Sequence, residues 1–167
     1  MRVAMELFAS GGFHATTIGS IAKEAGISKG LIYNYFDSKE DLIREIIYSV
    51  LEKIDSLMDP DKDGVLTDDE MEYLLNRFFD FLHEDTSFWR LYFTLLMQES
   101  ITRLVQDRLT ETLTNYINLL TAYFQTRAYE DPYTEALLFG ALLDGIGMNY
   151  VIKPELFTCL LYTSPSP

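Results

Sequence analysis

The sequence predicts an all-α protein, and three observations support this prediction. Apolar residues recur three and four positions apart along most of the 167 residues, which is the spacing of one face of a helix. No segment shows the alternation of apolar and polar residues that is typical of a half-buried strand. The breaks between helical patterns contain glycine or proline, as at Asp131-Pro132 and Lys153-Pro154, where helix continuation is disfavoured.

The composition predicts a folded chain. Apolar residues make up 48% of the sequence and aromatic residues 14%, whereas disordered segments have low hydrophobicity. The longest nearly apolar stretch, 136–151, is short for a bilayer span and contains Asp144 and Asn149. We therefore predict that it is a buried helix and expect no membrane association.

The first part of the chain predicts three short helices. The first covers about 1–10 and ends at the glycine pair 11–12, because glycine commonly terminates helices. The second begins at about Thr17, with Thr16 or Thr17 as its N-cap, and the third has Ser28 as its N-cap candidate. Gly26 lies in the short connection between them. Two short helices joined in this way are typical of a helix-turn-helix.

The remainder predicts five further helices. A long amphipathic helix, capped by Asp37 or Ser38, runs to about Met58, where an acidic segment interrupts the pattern. The later helical segments are 68–83, 87–97, 101–128 and 133–152. The last ten residues, 158–167, have no helical pattern and end in Ser-Pro-Ser-Pro, which predicts a disordered or non-native tail.

A long ordered set of residues within 4–47 resembles a known family. The matching residues are Ala4-Met5-Glu6-Leu7-Phe8, Gly12-Phe13, Thr16-Thr17-Ile18, Ile21-Ala22-Lys23-Glu24-Ala25-Gly26-Ile27-Ser28-Lys29-Gly30, Ile32-Tyr33-Asn34-Tyr35-Phe36 and Lys39-Glu40-Asp41-Leu42. This stretch resembles the DNA-binding domain of the TetR/AcrR family of transcriptional regulators. Beyond about residue 55 the resemblance is one of helical architecture only.

The resemblance implies a domain organisation. We expect a helix-turn-helix DNA-binding domain at 1–46, a helical ligand-binding and dimerisation domain at 47–157, and the tail at 158–167. Family members usually have a longer first helix and a further dimerisation helix, so we expect this chain to be a fragment truncated at both ends. Gly140, Ala141, Gly145 and Gly147 place small residues on a helix that resembles a dimer-forming helix of the family. Small residues allow backbones to approach closely, which suits an interface between two copies.

The third helix is expected to read the major groove. Its exposed positions include a glycine for close backbone approach, Leu31 for a thymine methyl and Asn34 for an adenine edge. The resemblance implies phosphate contacts for Thr17, Tyr35 and Lys39. The alternative is an ordinary three-helix core with exposed tyrosines. The candidate DNA-binding residues are Thr17, Ser28, Lys29, Gly30, Leu31, Tyr33, Asn34, Tyr35 and Lys39.

The charge distribution restricts where DNA can bind. Residues 1–50 contain five Lys or Arg and six Asp or Glu, for a net charge of −1, whereas the whole chain has −13. Most of the acid therefore lies beyond residue 50, and a local positive surface is expected only before it. One cysteine, Cys159, and no recognisable signal peptide predict a cytoplasmic protein.

The helical region beyond residue 50 is rich in aromatic residues. Aromatic residues often line concave sites for apolar or aromatic ligands, and at helical spacing they also often form a plain core. Both interpretations stay open from the sequence. The candidate ligand-pocket residues are Phe78, Trp89, Tyr92, Phe93, Tyr116 and Tyr123.

The acidic segment 59–70 fits the calcium-binding loop of an EF-hand. That loop needs oxygen ligands at positions 1, 3 and 5, glycine at 6, a backbone carbonyl at 7 and a bidentate Glu at 12. The alternative is an acidic linker in which Thr67 and Glu70 form a capping box for the next helix. The candidate calcium ligands are Asp59, Asp61, Asp63, Val65, Thr67 and Glu70.

These patterns favour one function over two others. We predict a DNA-binding transcriptional regulator, a repressor released from operator DNA by a small ligand, with no required cofactor. The alternative is a calcium-binding helical protein whose DNA binding is impaired. An enzyme is not expected, because no HExxH, CxxC or nucleophile-elbow pattern is present.

Overall fold

The computed structural model describes residues 1–157, and these residues are helical without strands, which confirms the predicted fold class. The predicted tail lies outside the described residues. The helices are α1 (Arg2–Gly11), α2 (Ile18–Glu24), α3 (Lys29–Tyr33), α4 (Lys39–Met58), α5 (Asp68–Glu84), α6 (Thr86–Leu96), α7 (Glu99–Thr126) and α8 (Pro132–Ile152), followed by the 3₁₀ helix η1 (Pro154–Phe157).

Local sequence signals determine the helix ends. Gly12, with a φ of 78°, ends α1 by donating its N–H to the Phe8 carbonyl at 3.0 Å, a backbone conformation that favours glycine. The hydroxyl of Thr17 accepts the Ser20 N–H at the start of α2, and Ser20 returns the interaction at the Thr17 N–H. The Ser38 hydroxyl accepts the Asp41 N–H at the start of α4. The predicted caps of these helices are therefore confirmed.

The chain divides into two compact units. The first consists of 1–51 and 91–108, and the second, within the described residues, of 52–90 and 109–157. Helices α4, α6 and α7 each contribute residues to both units. The grouping of 91–108 with the N-terminal helices was not anticipated from the sequence, and the functional division after residue 46 stays a prediction.

The core of the first unit combines N-terminal helices with α6 and α7. Phe8 of α1, Ile43 of α4, Leu95 of α6 and Ile101 of α7 are all fully buried. Complete burial of such side chains is worth roughly 1.5–3 kcal/mol each relative to exposure. The first unit therefore buries side chains of N-terminal helices together with side chains of helices that lie far away in the sequence.

The second unit has an apolar core of its own, to which α4, the 59–67 loop, α5, α7 and α8 all contribute. The partly buried Ile54, Tyr116 and Phe139 pack against its buried members. The buried members are Met58, Leu66, Met71, Leu74, Leu119, Leu120, Phe124 and Ala136.

Helix α8 has both buried and exposed apolar residues along its whole length. Leu143 and Tyr150 are buried, whereas Leu138, Leu142 and Ile152 are about 60–70% exposed (61%, 58% and 71%). Helix α8 is also long and apolar enough to cross a membrane. Buried core helices meet the same criterion of length and composition. The prediction of a buried helix therefore holds for one face of α8, whereas the other face lies open.

Candidate DNA-binding and ligand-binding sites

Helices α2 and α3 form the predicted helix-turn-helix. Between them Gly26 adopts a φ of 68°, and the next N–H, of Ile27, returns to the Ala22 carbonyl at 3.0 Å. The Ser28 hydroxyl then accepts the Leu31 N–H at 3.1 Å and begins α3. The turn chemistry read from the sequence thus sets the direction of α3.

The inward faces of these two helices are apolar. Ile18, Ile21 and Ala22 of α2 and Ile32 of α3 are buried. Their burial leaves the remaining positions of α3 and its flanks exposed, which is the arrangement required for insertion into a groove.

The exposed set contains almost all of the predicted DNA contacts. The side chains of Leu31, Tyr33 and Tyr35 are 43%, 52% and 74% exposed, although two of them are large aromatics. Thr17, Ser28, Lys29, Gly30 and Asn34 are also exposed. The structure therefore brings the 28–35 candidates together on α3 and its two ends, and the DNA contacts themselves stay predictions.

Lys29 is partly directed back onto α2. A β-carbon built on Gly19 would lie 2.6 Å from Cε of Lys29, so the absence of a side chain at Gly19 provides the space for it. No local sequence pattern indicates this contact, because the two residues lie on different helices.

Lys39 has a different environment from the other candidates. Its Nζ donates to the carbonyls of Phe13, His14 and Thr16 at 2.9, 3.2 and 3.2 Å. It also lies 4.6 Å from the centroid of the Phe13 ring. An ammonium group has three donors, and all three are matched here by backbone carbonyls. A phosphate contact by Lys39 stays a prediction and would require one of these bonds to be exchanged.

Gln98, between α6 and α7, was missed by sequence reasoning. Its Oε1 accepts the Phe13 N–H at 3.1 Å, and its Nε2 donates to the Phe8 carbonyl at 3.1 Å. The partners are separated from it by 85 and 90 positions, so no local pattern could reveal the contact.

A cleft of about 720 Å³ lies in the second unit. Its volume is within the range of small-molecule sites. Apolar walls are supplied by Met58, Tyr116 and Leu119, and polar groups by residues such as Glu52 and Asn118. Burial, and then the charge of Asp144, raise the pKa of the Tyr116 hydroxyl, so that this hydroxyl stays a hydrogen-bond donor at neutral pH.

Of the six aromatic ligand-pocket candidates, Tyr116 lines this cleft. Phe78, Trp89 and Tyr123 lie elsewhere in the second unit, and Tyr92 and Phe93 belong to the first. The Trp89 indole N–H donates to the Phe81 carbonyl at 2.7 Å. Their role in ligand binding stays a prediction, and Tyr116 is the candidate that the cleft supports.

Gly140 lies against Tyr116 within the second unit. A β-carbon there would come within 2.9 Å of the ring atom Cε1 of Tyr116. The interpretation of Gly140 as a dimer-contact residue is therefore wrong, because its missing side chain makes room for an aromatic ring of the same chain. Gly145 is exposed, and a β-carbon built on it would meet no atom within 4 Å.

The acidic loop has features of both predicted arrangements. Potential ligand oxygens of Asp59, Asp61 and Asp63 lie within 4.8 Å of one another. At the end of the loop, Glu70 accepts from both the N–H and the hydroxyl of Thr67 at 2.8 Å, and the Glu70 N–H donates to that hydroxyl. The capping box is thus confirmed, and binding of calcium stays a prediction.

A charged cluster next to this loop was not predicted. Asp68 accepts hydrogen bonds from the Tyr123 hydroxyl at 2.9 Å and from the Arg127 guanidinium. The guanidinium also lies 3.4 Å from the centroid of the Tyr123 ring. The hydrogen bonds from Arg127 and Tyr123 hold the pKa of the Asp68 carboxyl below its ordinary value.

These features define the class of the protein. A helix-turn-helix with an exposed, capped recognition helix is the DNA-reading unit of many transcriptional regulators. Residues 1–46 match the family described as bacterial regulatory proteins, tetR family. Residues 1–46 therefore carry the DNA-binding domain of the TetR/AcrR family of transcriptional regulators.

Similar proteins agree with this assignment. The chain is 26% identical over 147 residues to the fatty acid metabolism regulator protein of Bacillus subtilis, which covers 87% of this chain and 70% of that protein. Two other curated regulators are matched over only 26% and 42% of their own length.

Solved structures show the same fold. A transcriptional regulator from Aquifex aeolicus is 28% identical, with a TM-score of 0.68 over 95% of this chain and 91% of that one. The fatty acid degradation regulator FadR from Bacillus halodurans is 24% identical, with a TM-score of 0.64 over 92% of this chain and 82% of its own.

Proposed function

We propose that the protein is a cytoplasmic repressor that binds operator DNA through α3 and releases it when a small ligand binds in the second unit. The single observation that supports DNA reading best is the exposure of Leu31, Tyr33, Asn34 and Tyr35 on and beside a capped α3. Large apolar groups left in solvent around one short helix are expected where a partner surface covers them.

The regulated genes are inferred from the relatives. The Bacillus subtilis and Bacillus halodurans proteins are named as regulators of fatty acid metabolism and of fatty acid degradation. We propose genes of the same process as targets. The ligand is then a small molecule with an apolar or aromatic part, and Met58, Tyr116 and Leu119 of the cleft are the residues that would contact this part.

The proposed assembly is a homodimer formed through α8. Leu138, Leu142, Gly145 and Ile152 follow one another at intervals of four, three and seven residues and therefore share one helix face. All four are exposed in the single chain. A second copy would cover this face, and a two-fold arrangement would place two α3 helices for the two halves of a palindromic operator.

A binding selection tests the proposed function. The protein is incubated with double-stranded DNA of random sequence, and retained fragments are sequenced over several rounds. We expect a palindromic consensus with half-sites about one helical turn apart, bound with a strong dependence on salt. Retention without any consensus, or no retention at low salt, would contradict operator recognition.

Calcium binding by residues 59–70 is a second candidate function. Two observations favour it besides the sequence pattern. Three aspartate side chains can direct oxygens within 4.8 Å of one another, and Oδ1 of Asp59 is buried and, among the described residues, has no hydrogen-bond partner. A cation would supply the partner that this oxygen lacks.

A further inference from the structure

The side chain of Gln98 connects two backbone groups at the end of α1. Its amide oxygen accepts from Phe13 and its amide nitrogen donates to Phe8, both at 3.1 Å. The Phe8 carbonyl also accepts the N–H of Gly12, the residue that ends α1. Both polar groups of the Gln98 amide are therefore hydrogen-bonded. Their two partners lie at the C-terminal end of α1 and in the segment that follows it.

Phe13 is the centre of this arrangement. Its side chain is only 5% exposed, its N–H is bonded to Gln98 and its carbonyl to the Lys39 ammonium. One buried residue is therefore held from two sides, by Lys39 at the start of α4 and by Gln98, two residues after the end of α6.

The held segment leads directly into the helix-turn-helix. Thr16 is buried, its hydroxyl donates to the Leu7 and Gly12 carbonyls, and its own carbonyl accepts from Lys39. The next residue, Thr17, is the N-cap of α2. Only three residues therefore separate Phe13 from the N-cap of α2, and one of them, Thr16, is itself bonded to Lys39.

We propose that Gln98 is a positioning residue for DNA binding, whose amide holds the connection between α1 and α2 in the arrangement that α2 and α3 need to bind DNA. This inference rests on the DNA binding proposed above. Helix α6 begins in the second unit and ends two residues before Gln98. A shift of the α6 end by about 1 Å would break both bonds, since they weaken steeply beyond about 3.5 Å.

Two substitutions separate positioning from general packing. Gln98→Met keeps a long side chain but removes the acceptor and the donor. Gln98→Glu has the same shape as glutamine, and its protonated carboxyl again offers one acceptor and one O–H donor. When ionised, the same carboxyl can only accept, and it repels the Phe8 carbonyl.

The expected result is a rescue that depends on pH. At pH 8 both variants should bind the selected operator about tenfold more weakly than the wild type, because Gln98→Met loses both hydrogen bonds, whereas ionised Gln98→Glu loses the bond to the Phe8 carbonyl and repels that carbonyl. As the pH falls toward about 4, past the ordinary glutamate pKa of about 4.3, the Gln98→Glu protein should approach the wild-type affinity measured at the same pH, because its carboxyl becomes protonated. The Gln98→Met protein should stay weak. Gln106→Glu, an exposed site on α7, is the matched control and should behave like the wild type throughout.

Amide hydrogen exchange of the free proteins gives a readout that needs no DNA. Exchange at Phe13 should be faster in the Gln98→Met protein, with unchanged exchange in the α7 core. Equal operator affinity or equal Phe13 exchange in wild type and Gln98→Met would overturn the inference. Weak binding by Gln98→Glu without recovery at low pH would overturn it too, because packing alone would then explain the loss. A wild type that binds no DNA would instead overturn the proposed function.

Discussion

Tyr116 of α7 packs over Gly140 of α8 so closely that even a methyl group at position 140 would overlap the ring, since its β-carbon would lie 2.9 Å from Cε1. Ile117 closes the same space from the side, at 3.6 Å from that β-carbon. The ring that lines the cleft is thus held by the helix behind it, and this contact joins α7 to α8 within the second unit.

The first prediction is that Gly140→Ala destabilises the protein. Alanine favours a helix over glycine by about 1 kcal/mol, but overpacking against Tyr116 should cost roughly 1–3 kcal/mol. Gly145→Ala has the same helical gain and meets no atom within 4 Å. Because Gly145 lies on the proposed dimer face, urea unfolding is followed at a concentration at which the chain is monomeric, where Gly140→Ala should be the less stable of the two by about 1–3 kcal/mol. Equal stabilities would mean that the ring moves aside freely.

The second prediction concerns base reading by Asn34. Its exposed amide on the C-terminal end of α3 can form two hydrogen bonds to one adenine. Asn34→Ala should therefore lose about 1–3 kcal/mol of discrimination at one base pair of each half-site and keep the rest of the consensus. Selection with the variant measures this directly. Asn76→Ala, in the second unit, should return the wild-type consensus. Uniform loss at all positions would assign Asn34 to backbone contact or folding.

The third prediction tests the exposed face of α8. Leu138→Glu combined with Leu142→Glu would bury two charges in the proposed interface, which should weaken dimerisation by at least about a hundredfold. Sedimentation velocity over a range of concentrations measures the effect. Met97→Glu, at a methionine that is 72% exposed in the first unit, is the control and should leave the dimer intact. A wild type that is monomeric, or that floats with lipid vesicles, would contradict this assignment of the face.

Sequence reasoning succeeded where the signal is local. The turn at Gly26 and the caps at Thr17 and Ser28 depend on interactions within a few residues, and each lies as predicted. It failed for contacts between distant segments. Gln98 and Gly140 act through partners on other helices, and neither their residue type nor their spacing indicates which partner that is.

The fourth prediction is a pH dependence of stability from Asp68. Hydrogen bonds from Arg127 and Tyr123 lower its pKa in the folded protein from the ordinary value of 3.8. Because the folded pKa is the lower one, the stabilisation is fully present above pH 3.8 and is lost as the pH falls through the folded value. The melting temperature should therefore be higher for wild type than for Asp68→Asn at about pH 5–7, and the two should converge below pH 3.8. Asp69→Asn, in the same first turn of α5, should show no such convergence. A constant difference at every pH would mean that charge at Asp68 is irrelevant.

The fifth prediction is that calcium binding, if it follows the EF-hand pattern, depends on Glu70. In the structure this carboxylate accepts from the N–H and the hydroxyl of Thr67, both at 2.8 Å. A bidentate calcium ligand at position 12 must turn toward Asp59, Asp61 and Asp63 and exchange those bonds for the ion. The exchange lowers the affinity, as does the single loop, so we expect a dissociation constant on the order of 10⁻⁵ to 10⁻³ M.

Calorimetry with calcium chloride measures this binding in the full chain. Glu70→Gln keeps an oxygen acceptor for Thr67, so α5 stays capped, but it supplies a neutral and weaker ligand and should lower calcium affinity at least about tenfold. Asp69→Asn removes the same charge one residue earlier, at a position that the loop pattern does not use, and should bind like the wild type. A similar loss in both variants would show that only general acidity attracts the ion, and no calcium heat in the wild type would leave 59–70 as a capped acidic linker.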